Sequence, residues 1–200
     1  MMDLARKLSL VFATLFTFVL LSGCGINTIP TYQEQAKAAW SEVLNQYKRR
    51  SDLIPNLVET VKGYAAQEKD VLTSVVEARA KATQMTLPPD ALNNPDLVKQ
   101  FQERQDALGS SLSRLLAVVE NYPDLKSNQN FLALQSQLEG TENRIAVARR
   151  DYIEAVRRYN TELLTIPGRW WASFLYPDAK PMAEFDIPTE EQQTPKVQFN

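Results

Sequence analysis

The chain has 200 residues, of which 44% are hydrophobic and 23% are charged, and its formal net charge is −2. It is long enough to bury one core, and its balanced charge does not favour a nucleic-acid partner. The sequence contains no histidine and a single cysteine, Cys24. Histidine-based catalysis, histidine metal ligation, intrachain disulfides and cysteine-cluster zinc sites are therefore excluded.

Residues 1–23 have the pattern of a signal peptide or a membrane anchor. Two basic residues, 6–7, precede fourteen uncharged residues, 8–21, which would span about 21 Å as a helix and are short for a bilayer crossing. The segment ends in Leu-Ser-Gly-Cys at residues 21–24, the pattern of a bacterial lipobox. We expect the signal to be removed and Cys24 to carry lipid; the alternative is an uncleaved transmembrane helix. In both cases the basic residues place the rest of the chain outside the cytoplasm.

The pattern beyond the lipobox predicts a linker at residues 24–31 and a helical domain at residues 32–186. Apolar residues recur at intervals of three and four over residues 32–86, which predicts one long amphipathic helix. Proline at position 55 removes a backbone hydrogen bond from that helix. We therefore expect a kink or a new helix start between Ser51 and Pro55.

Two further helices follow along the chain. Asn94 is placed to cap a helix that begins at Pro95 and stops before Tyr122, and another helix runs from about Ser127 to just before Pro167. Long helices joined by short turns must bury their apolar stripes against each other. The sequence therefore predicts an all-α fold: an antiparallel up-and-down bundle of three to four long helices.

The last two segments differ sharply in composition. Residues 163–176 are rich in aromatic side chains and contain a proline and a glycine, and we expect them to pack on the bundle rather than lie at a membrane interface. Residues 187–200 are polar, and we expect them to form a disordered tail.

Three motifs stand out within the helical domain: RSDLIPNLVETVKGY at residues 50–64, YPDLK at residues 122–126 and LEGTENRIAVARRDY at residues 138–152. Together they resemble the motifs of the LemA family of bacterial envelope proteins. The resemblance extends over residues 30–185. It implies a membrane-anchored antiparallel helical bundle, mostly outside the cytoplasm, with no established enzymatic activity.

Polar residues and special backbone residues in these motifs are the candidate interaction or structural sites. They are Arg50, Asp52, Pro55, Asn56, Lys62, Gly63, Glu139, Glu142, Asn143, Arg144, Arg149 and Arg150. Near the proline, Asp52 and Asn56 either form a binding notch, or Asp52 or Ser51 caps the restarted helix and Asn56 satisfies freed backbone groups. The carboxylates either hold a divalent cation, belong to an interhelical network of Arg50, Asp52, Glu142 and Arg149, or lie on a solvated face.

Glycine and aromatic residues add two expectations about packing. Gly63 and Gly140 lie within helical patterns, where we expect a close helix approach to compensate for their low helix propensity. Aromatic residues at helical spacing are expected in the core, and they are Trp40, Tyr47, Tyr64, Tyr152 and Tyr159.

Taken with the resemblance, these patterns predict a membrane-anchored, non-enzymatic protein of the bacterial cell envelope. Its bundle lies on the periplasmic side and binds a protein partner, and its membrane contact is the N-terminal lipid or hydrophobic helix. No cofactor, nucleic acid or small-molecule substrate is expected. The alternative is a metal-dependent or enzymatic envelope factor that uses Glu139, Glu142, Asp52 and Asn56. The two hypotheses differ in whether these side chains meet in an open cavity or pair with arginines.

Overall fold

The structure is a computed structural model that describes residues 25–85, 87–88 and 91–185. Over these ranges it contains helices, turns and irregular segments but no strand, so the predicted all-α fold is confirmed. In chain order the helices are α1 (Thr28–Lys62), α2 (Lys69–Thr83), a 3₁₀ turn (Ala91–Asn93), α3 (Pro95–Val119), α4 (Pro123–Lys126), α5 (Gln129–Leu164) and α6 (Gly168–Phe174). The predicted signal or anchor at 1–23, the lipidation site Cys24 and the tail at 187–200 lie outside the described residues.

Four of these helices form an up-and-down bundle. α1 packs most extensively on α5, while α2 packs on α3 and also on α1. α1 and α5 run antiparallel, since Trp40 packs on Tyr152 near one end and Tyr64 accepts a hydrogen bond from Asn128 at the other. The predicted bundle of three to four long helices is therefore present, with four.

The first helix differs from the prediction at both ends. α1 continues through Pro55 and ends at Lys62, so the predicted new helix start between Ser51 and Pro55 is wrong, and the break lies instead at residues 63–68. The other predicted outcome, a kink at Pro55, stays a prediction. α1 also begins at Thr28, inside the predicted linker, because Ile29 is buried against the bundle and belongs to its core.

The helix-start signal gave the correct position for α3, and α5 begins two residues after the expected Ser127. The Asn94 side chain accepts hydrogen bonds from the backbone N–H groups of Asp96 and Leu97, and Pro95 occupies the first helical position. Asn128 caps α5 in the same way by accepting from the Phe131 N–H at 3.1 Å. These asparagines satisfy backbone donors that have no partner within the helix.

The glycines do not mark close helix approaches. Gly63 is the C-terminal cap of α1, and a Cβ there would meet only carbonyl oxygens of its own helix. At Gly140 a Cβ would meet the guanidinium of Arg144, one turn further along α5. The prediction of close helix approach at Gly63 and Gly140 is therefore wrong.

The core is divided into two parts along the bundle. The part where α1 begins and α5 ends, the aromatic half, is rich in rings, among them Trp40, Tyr47, Phe101, Tyr152, Tyr159 and Phe185. The part where α1 ends and α5 begins, the aliphatic half, is built mainly from leucine, isoleucine and valine of α1, α2 and α3, with Phe131 as its buried phenylalanine. Of the five aromatic residues predicted in the core, four are buried, whereas Tyr64 follows the end of α1 and is 45% exposed.

The aromatic segment 163–176 has two environments. Trp171, Ala172 and Tyr176 pack against the aromatic half, as expected for a segment that covers the bundle. Trp170 and Phe174, on the other hand, are 55% and 80% exposed. Packing on the bundle is therefore confirmed for one side of this segment and not for the other.

Candidate functional site

A layer of buried polar residues separates the aromatic half from the aliphatic half. It interrupts the apolar stripes of α1, α3 and α5 at one level of the bundle. Five buried polar residues, called the polar layer below, form it: Arg50, Ser51, Gln102, Gln105 and Thr141. A sixth buried polar residue, Ser111, lies further along α3 and donates to the Ala107 carbonyl of its own helix. Because buried polar side chains cost free energy unless they are hydrogen-bonded, this layer is the part of the core that packing alone does not explain.

Arg50 joins three helices at the centre of the layer. Its Nη1 donates to both carboxylate oxygens of Glu142 on α5, at 3.2 and 3.3 Å. Its Nη2 donates to the backbone oxygen and to the side-chain Oε1 of Gln105 on α3, at 2.9 and 2.8 Å. The Arg50 side chain is 4% exposed and that of Glu142 is 43% exposed, so the ion pair extends from the core to the surface.

Tyr47 lies one turn before Arg50 and covers the cation from the aromatic side. The Arg50 guanidinium carbon is 4.9 Å from the Tyr47 ring centroid, within the range of a cation–π contact. Burial raises the pKa of the Tyr47 hydroxyl, while the nearby guanidiniums of Arg149 and Arg50 act in the opposite direction. The hydroxyl is buried and has no hydrogen-bond partner in the described part of the chain.

A side chain of α2 explains why α1 continues through Pro55. Proline has no N–H, so the carbonyl four residues earlier, that of Ser51, loses its helical partner. Arg79 of α2 supplies the replacement, because its Nε donates to the Ser51 carbonyl oxygen at 2.8 Å. The hypothesis that Asp52 caps a restarted helix and that Asn56 satisfies the freed backbone group is therefore wrong: both side chains are exposed.

The remaining candidate residues on α1 pair locally on its surface. Asp52 accepts from Lys48 at 3.2 Å, and Lys62 lies 3.6 Å from Glu59. Both pairs are exposed and are of the kind that contributes little to stability. Of the four members of the hypothesised interhelical network, the structure thus joins Arg50 to Glu142 and places Asp52 elsewhere.

Besides Glu139, four candidate residues of α5 lie outside the Arg50 ion pair. Arg144 donates to Gln46 across the α1–α5 contact and to Thr141 of the polar layer, at 3.2 and 3.1 Å. Arg149 lies 3.7 Å from Asp106 on α3, with its guanidinium 5.0 Å from the ring centroid of Phe185. The other two are exposed: Arg150 pairs with its neighbour Asp151, and Asn143 lines the groove described next.

Two open grooves, each of about 440 Å³, flank the polar layer. The α1–α2–α3 groove is lined by residues that include Ser51, Asp52, Arg79 and Gln105. The α3–α5 groove is lined by Gly109, Leu112, Ser113, Leu116, Leu138, Glu139, Glu142 and Asn143.

The carboxylates of the enzymatic hypothesis are divided between these grooves. Asp52 lines the first groove and is paired with Lys48, whereas Glu139 and Glu142 line the second and Glu142 is paired with Arg50. Among the described residues there is no group of three or more aspartate, glutamate, cysteine or histidine residues arranged to hold a metal ion. The site that would combine Asp52 with Glu139 and Glu142 therefore does not assemble.

Sequence reasoning missed the segment that closes the aromatic half. Residues 182–185 return along the bundle from α6, and the Phe185 ring lies 5.5 Å from Trp40 and 5.3 Å from Tyr152. The Asn160 amide holds the segment by two 2.9 Å hydrogen bonds to the Met182 backbone, and the Tyr152 hydroxyl donates to the Ala183 carbonyl at 2.6 Å. The only signal in the sequence was Phe185, a single aromatic residue in a segment without helical periodicity.

These features define a class of protein: an all-helical, up-and-down bundle whose core is divided by a buried arginine that joins three helices. A model of the LemA family matches residues 39–199, and the chain belongs to the LemA family. Among the described residues, no helix combines the length and the apolar composition needed to cross a bilayer.

Individual proteins that are similar to the chain are 22–28% identical to it over the matched residues. The chain is 28% identical over 162 residues to magnetosome protein MamQ 2 of Paramagnetospirillum magneticum, covering 73% of this chain and 60% of that protein. It is 25% identical over 162 residues to magnetosome protein MamQ of Magnetospirillum gryphiswaldense, with the same coverage. It is 22% identical over 139 residues to protein LemA of Metamycoplasma hominis, covering 70% and 59%. The chain thus spans about three fifths of the length of these relatives.

Proposed function

We propose that this chain is a non-enzymatic protein of the bacterial cell envelope, anchored to a membrane at its N-terminus with the bundle on the periplasmic side. Its task is to bind another envelope protein. The anchor is supported by the uncharged segment at 8–21 and by the lipobox pattern that ends at Cys24. Membership of the LemA family agrees with this assignment.

The α3–α5 groove is the observation that carries the proposal of protein binding. Leu112, Leu116 and Leu138 contribute an apolar lining between the two helices, and the groove is open to solvent. Glu142 is held by Arg50, so the shape of one wall is fixed from within the core. Because the groove is open to solvent, it can cover one face of an amphipathic helix but would leave much of a small substrate exposed.

Charge indicates what kind of helix fits. Glu139 is exposed at the edge of the groove, accepts a 2.9 Å hydrogen bond from Gln135, and forms no ion pair with any described residue. Its carboxylate is therefore available to a cation on a partner. We assign the groove to a helix of an envelope protein that presents an apolar stripe beside a lysine or arginine.

Photocrosslinking in cells tests the groove. A photoreactive residue at Ser113 or at Asn143, on opposite walls, is expected to trap the same protein, whereas one at Glu77, exposed on α2, is expected to trap none. Glu139→Lys should abolish the trapped product, and the matched surface change Glu77→Lys should not. Products that differ between Ser113 and Asn143, or that survive Glu139→Lys, would contradict the assignment.

The anchor is tested separately. Wild-type chain is expected to incorporate labelled palmitate and to have a mass that corresponds to a lipid-modified chain starting at Cys24. Cys24→Ala should lose the label. Absence of label in the wild-type protein would leave the uncleaved transmembrane helix as the anchor.

A further inference from the structure

Exposed apolar side chains are concentrated at one end of the bundle. Five of the nine exposed large hydrophobic residues in the described part of the chain fall between positions 164 and 175. They are Leu164, Ile166, Trp170, Phe174 and Leu175, which we call the end patch. Scattered exposed apolar residues are ordinary on soluble proteins, but a concentration of five within residues 164–175 at one end of the bundle points to a contact surface.

The end patch lies beside the point where the N-terminal segment reaches the bundle. A Cβ built on Gly25 would lie 3.6 Å from the Pro167 side chain and 3.7 Å from the indole nitrogen of Trp171. Gly25 directly follows Cys24, the predicted lipid attachment site, and the 14-residue uncharged segment before it. Whichever form the anchor takes, it enters the protein at this end.

Composition and side-chain chemistry also point to a lipid surface. Between Leu163 and Pro177 the sequence carries a single charge, that of Arg169, which is exposed, and no acidic residue. Trp170 and Phe174 are four residues apart, on one side of the α6 region. Tryptophan side chains favour the interface between headgroups and acyl chains, and an arginine beside them is attracted to anionic headgroups.

We infer that the end patch rests on the bilayer surface, as a second membrane contact next to the N-terminal anchor. This inference rests on the proposed anchoring of the chain at a membrane. Two contacts at one end would hold the bundle upright. Glu139, 25 residues before Leu164 on α5, would then lie roughly 38 Å above the patch, which lifts the α3–α5 groove clear of the lipid.

Tryptophan quenching by lipid tests this contact in the full chain. The protein isolated from membranes is reconstituted into vesicles of phosphatidylcholine and phosphatidylglycerol, with part of the phosphatidylcholine brominated near the top of the acyl chain. The bromine is expected to quench the wild-type emission, and Trp170→Phe should lose most of that quenching, because Trp40 is buried and Trp171 is half-buried. Circular dichroism checks that the variant keeps its helices.

A distal tryptophan provides the matched control. Leu132 is 48% exposed near the start of α5, roughly 48 Å along the helix from Leu164. Trp170→Phe combined with Leu132→Trp restores an exposed tryptophan at the far end, and its emission should respond to aqueous acrylamide but not to brominated lipid. Equal lipid quenching of the tryptophans at 170 and 132 would overturn the end-on contact.

The outcomes separate this inference from the proposed function. If the full chain does not float with the vesicles, the anchoring and the end-patch contact both fail. If it floats but Trp170 is quenched by acrylamide and not by lipid, the anchor stands and the second contact is overturned. If Trp170 is shielded from both quenchers, a protein covers the patch, either a second copy or a partner, and the lipid assignment is overturned.

Discussion

The two halves of the core are filled by different kinds of side chain, aliphatic in one and mainly aromatic in the other. In the aliphatic half, α1, α2, α3 and α5 all contribute, and leucine, isoleucine and valine fill the space between them. α2 ends at Thr83, shortly after Arg79 reaches the level of Ser51, so the aromatic half lacks this helix. Rings and the returning segment 182–185 occupy the room that it leaves. Side-chain size therefore follows the number of helices that are present at each level.

In the aromatic half, the packing of several chain segments depends on one ring, that of Trp40. Trp40 contacts the rings of Phe101, Tyr152 and Phe185 at centroid distances of 5.3, 5.0 and 5.5 Å, and these come from three other segments of the chain. Leu115 in the aliphatic half is fully buried, yet aliphatic neighbours can shift to fill part of a space that it leaves. The two halves should therefore respond differently to truncation.

The largest expected effect is that of Trp40→Ala. Loss of the central ring should lower the free energy of unfolding by about 3–5 kcal/mol and release Phe185, whereas Leu115→Ala should cost about 2–5 kcal/mol and leave the aromatic packing in place. Urea unfolding followed by far-ultraviolet and near-ultraviolet circular dichroism measures both. A near-ultraviolet spectrum that is equally weakened in the two variants would show that the halves are not separate packing units.

Next in size is the effect of cutting the ion pair between the halves. Glu142→Ala leaves a buried guanidinium without its carboxylate and should cost about 2 kcal/mol. Arg50→Met leaves a carboxylate that already reaches solvent, but it also leaves the buried Gln105 Oε1 without its donor, so it should cost more, about 3 kcal/mol. Equal costs in urea unfolding would mean that burial does not distinguish the two partners.

Removing the donor that compensates for Pro55 should have a smaller effect. Arg79→Met is expected to destabilise the protein by about 1–2 kcal/mol, because the Ser51 carbonyl loses a charge-assisted hydrogen bond. In a Pro55→Ala background the new N–H can bond that carbonyl, so the same change should cost about 1 kcal/mol less. A double-mutant cycle by urea unfolding gives the difference, and additivity would show that Arg79 does not compensate for the proline.

The smallest effect concerns alkaline pH and the aromatic half alone. Burial raises the pKa of Tyr159, and also that of Tyr47 and Tyr152, above the ordinary tyrosine value. In the unfolded chain these groups ionise near pH 10, so stability should fall as the pH rises above about 10, where the unfolded state loses protons that the folded state keeps. Tyr159→Phe should make this fall shallower.

At neutral pH the same variant should be neutral or more stable by up to about 1 kcal/mol, because the Tyr159 hydroxyl is buried without a partner among the described residues. Thermal unfolding at a series of pH values measures both effects. An unchanged slope above pH 10 would show that Tyr159 does not contribute to the alkaline sensitivity of the aromatic half.

Local signals in the sequence were enough for most of the helices. The apolar periodicity gave the long helices, and Asn94 with Pro95 gave the start of α3, because caps act within one turn of the chain. The prediction of a new helix start near Pro55 was wrong because its outcome depends on a residue that is distant in the sequence. The donor that compensates for the proline, Arg79, is 28 residues away and meets Ser51 only after α2 has folded back on α1.

The candidate site shows the same division. Arg50 and Glu142 could be selected because they are polar residues within helical motifs, and they do meet. Gln105 could not be selected, since nothing near it in the sequence indicates that its backbone and side chain both accept from Arg50. Which residues share a level of the bundle depends on helix register, and packing between distant segments sets that register.

The returning segment has a consequence for the order in which the chain folds. α2 and α3 are neighbours in sequence and can pair once residue 119 has been added. The contact between the rings of Trp40 and Phe185, by contrast, joins residues that are 145 positions apart. Contacts between such distant positions form late, because the intervening chain must first be ordered. During synthesis, the end of the bundle that contains the start of α1 is therefore the first to be made and the last to close, so the rings of α1 stay uncovered until Phe185 has been added.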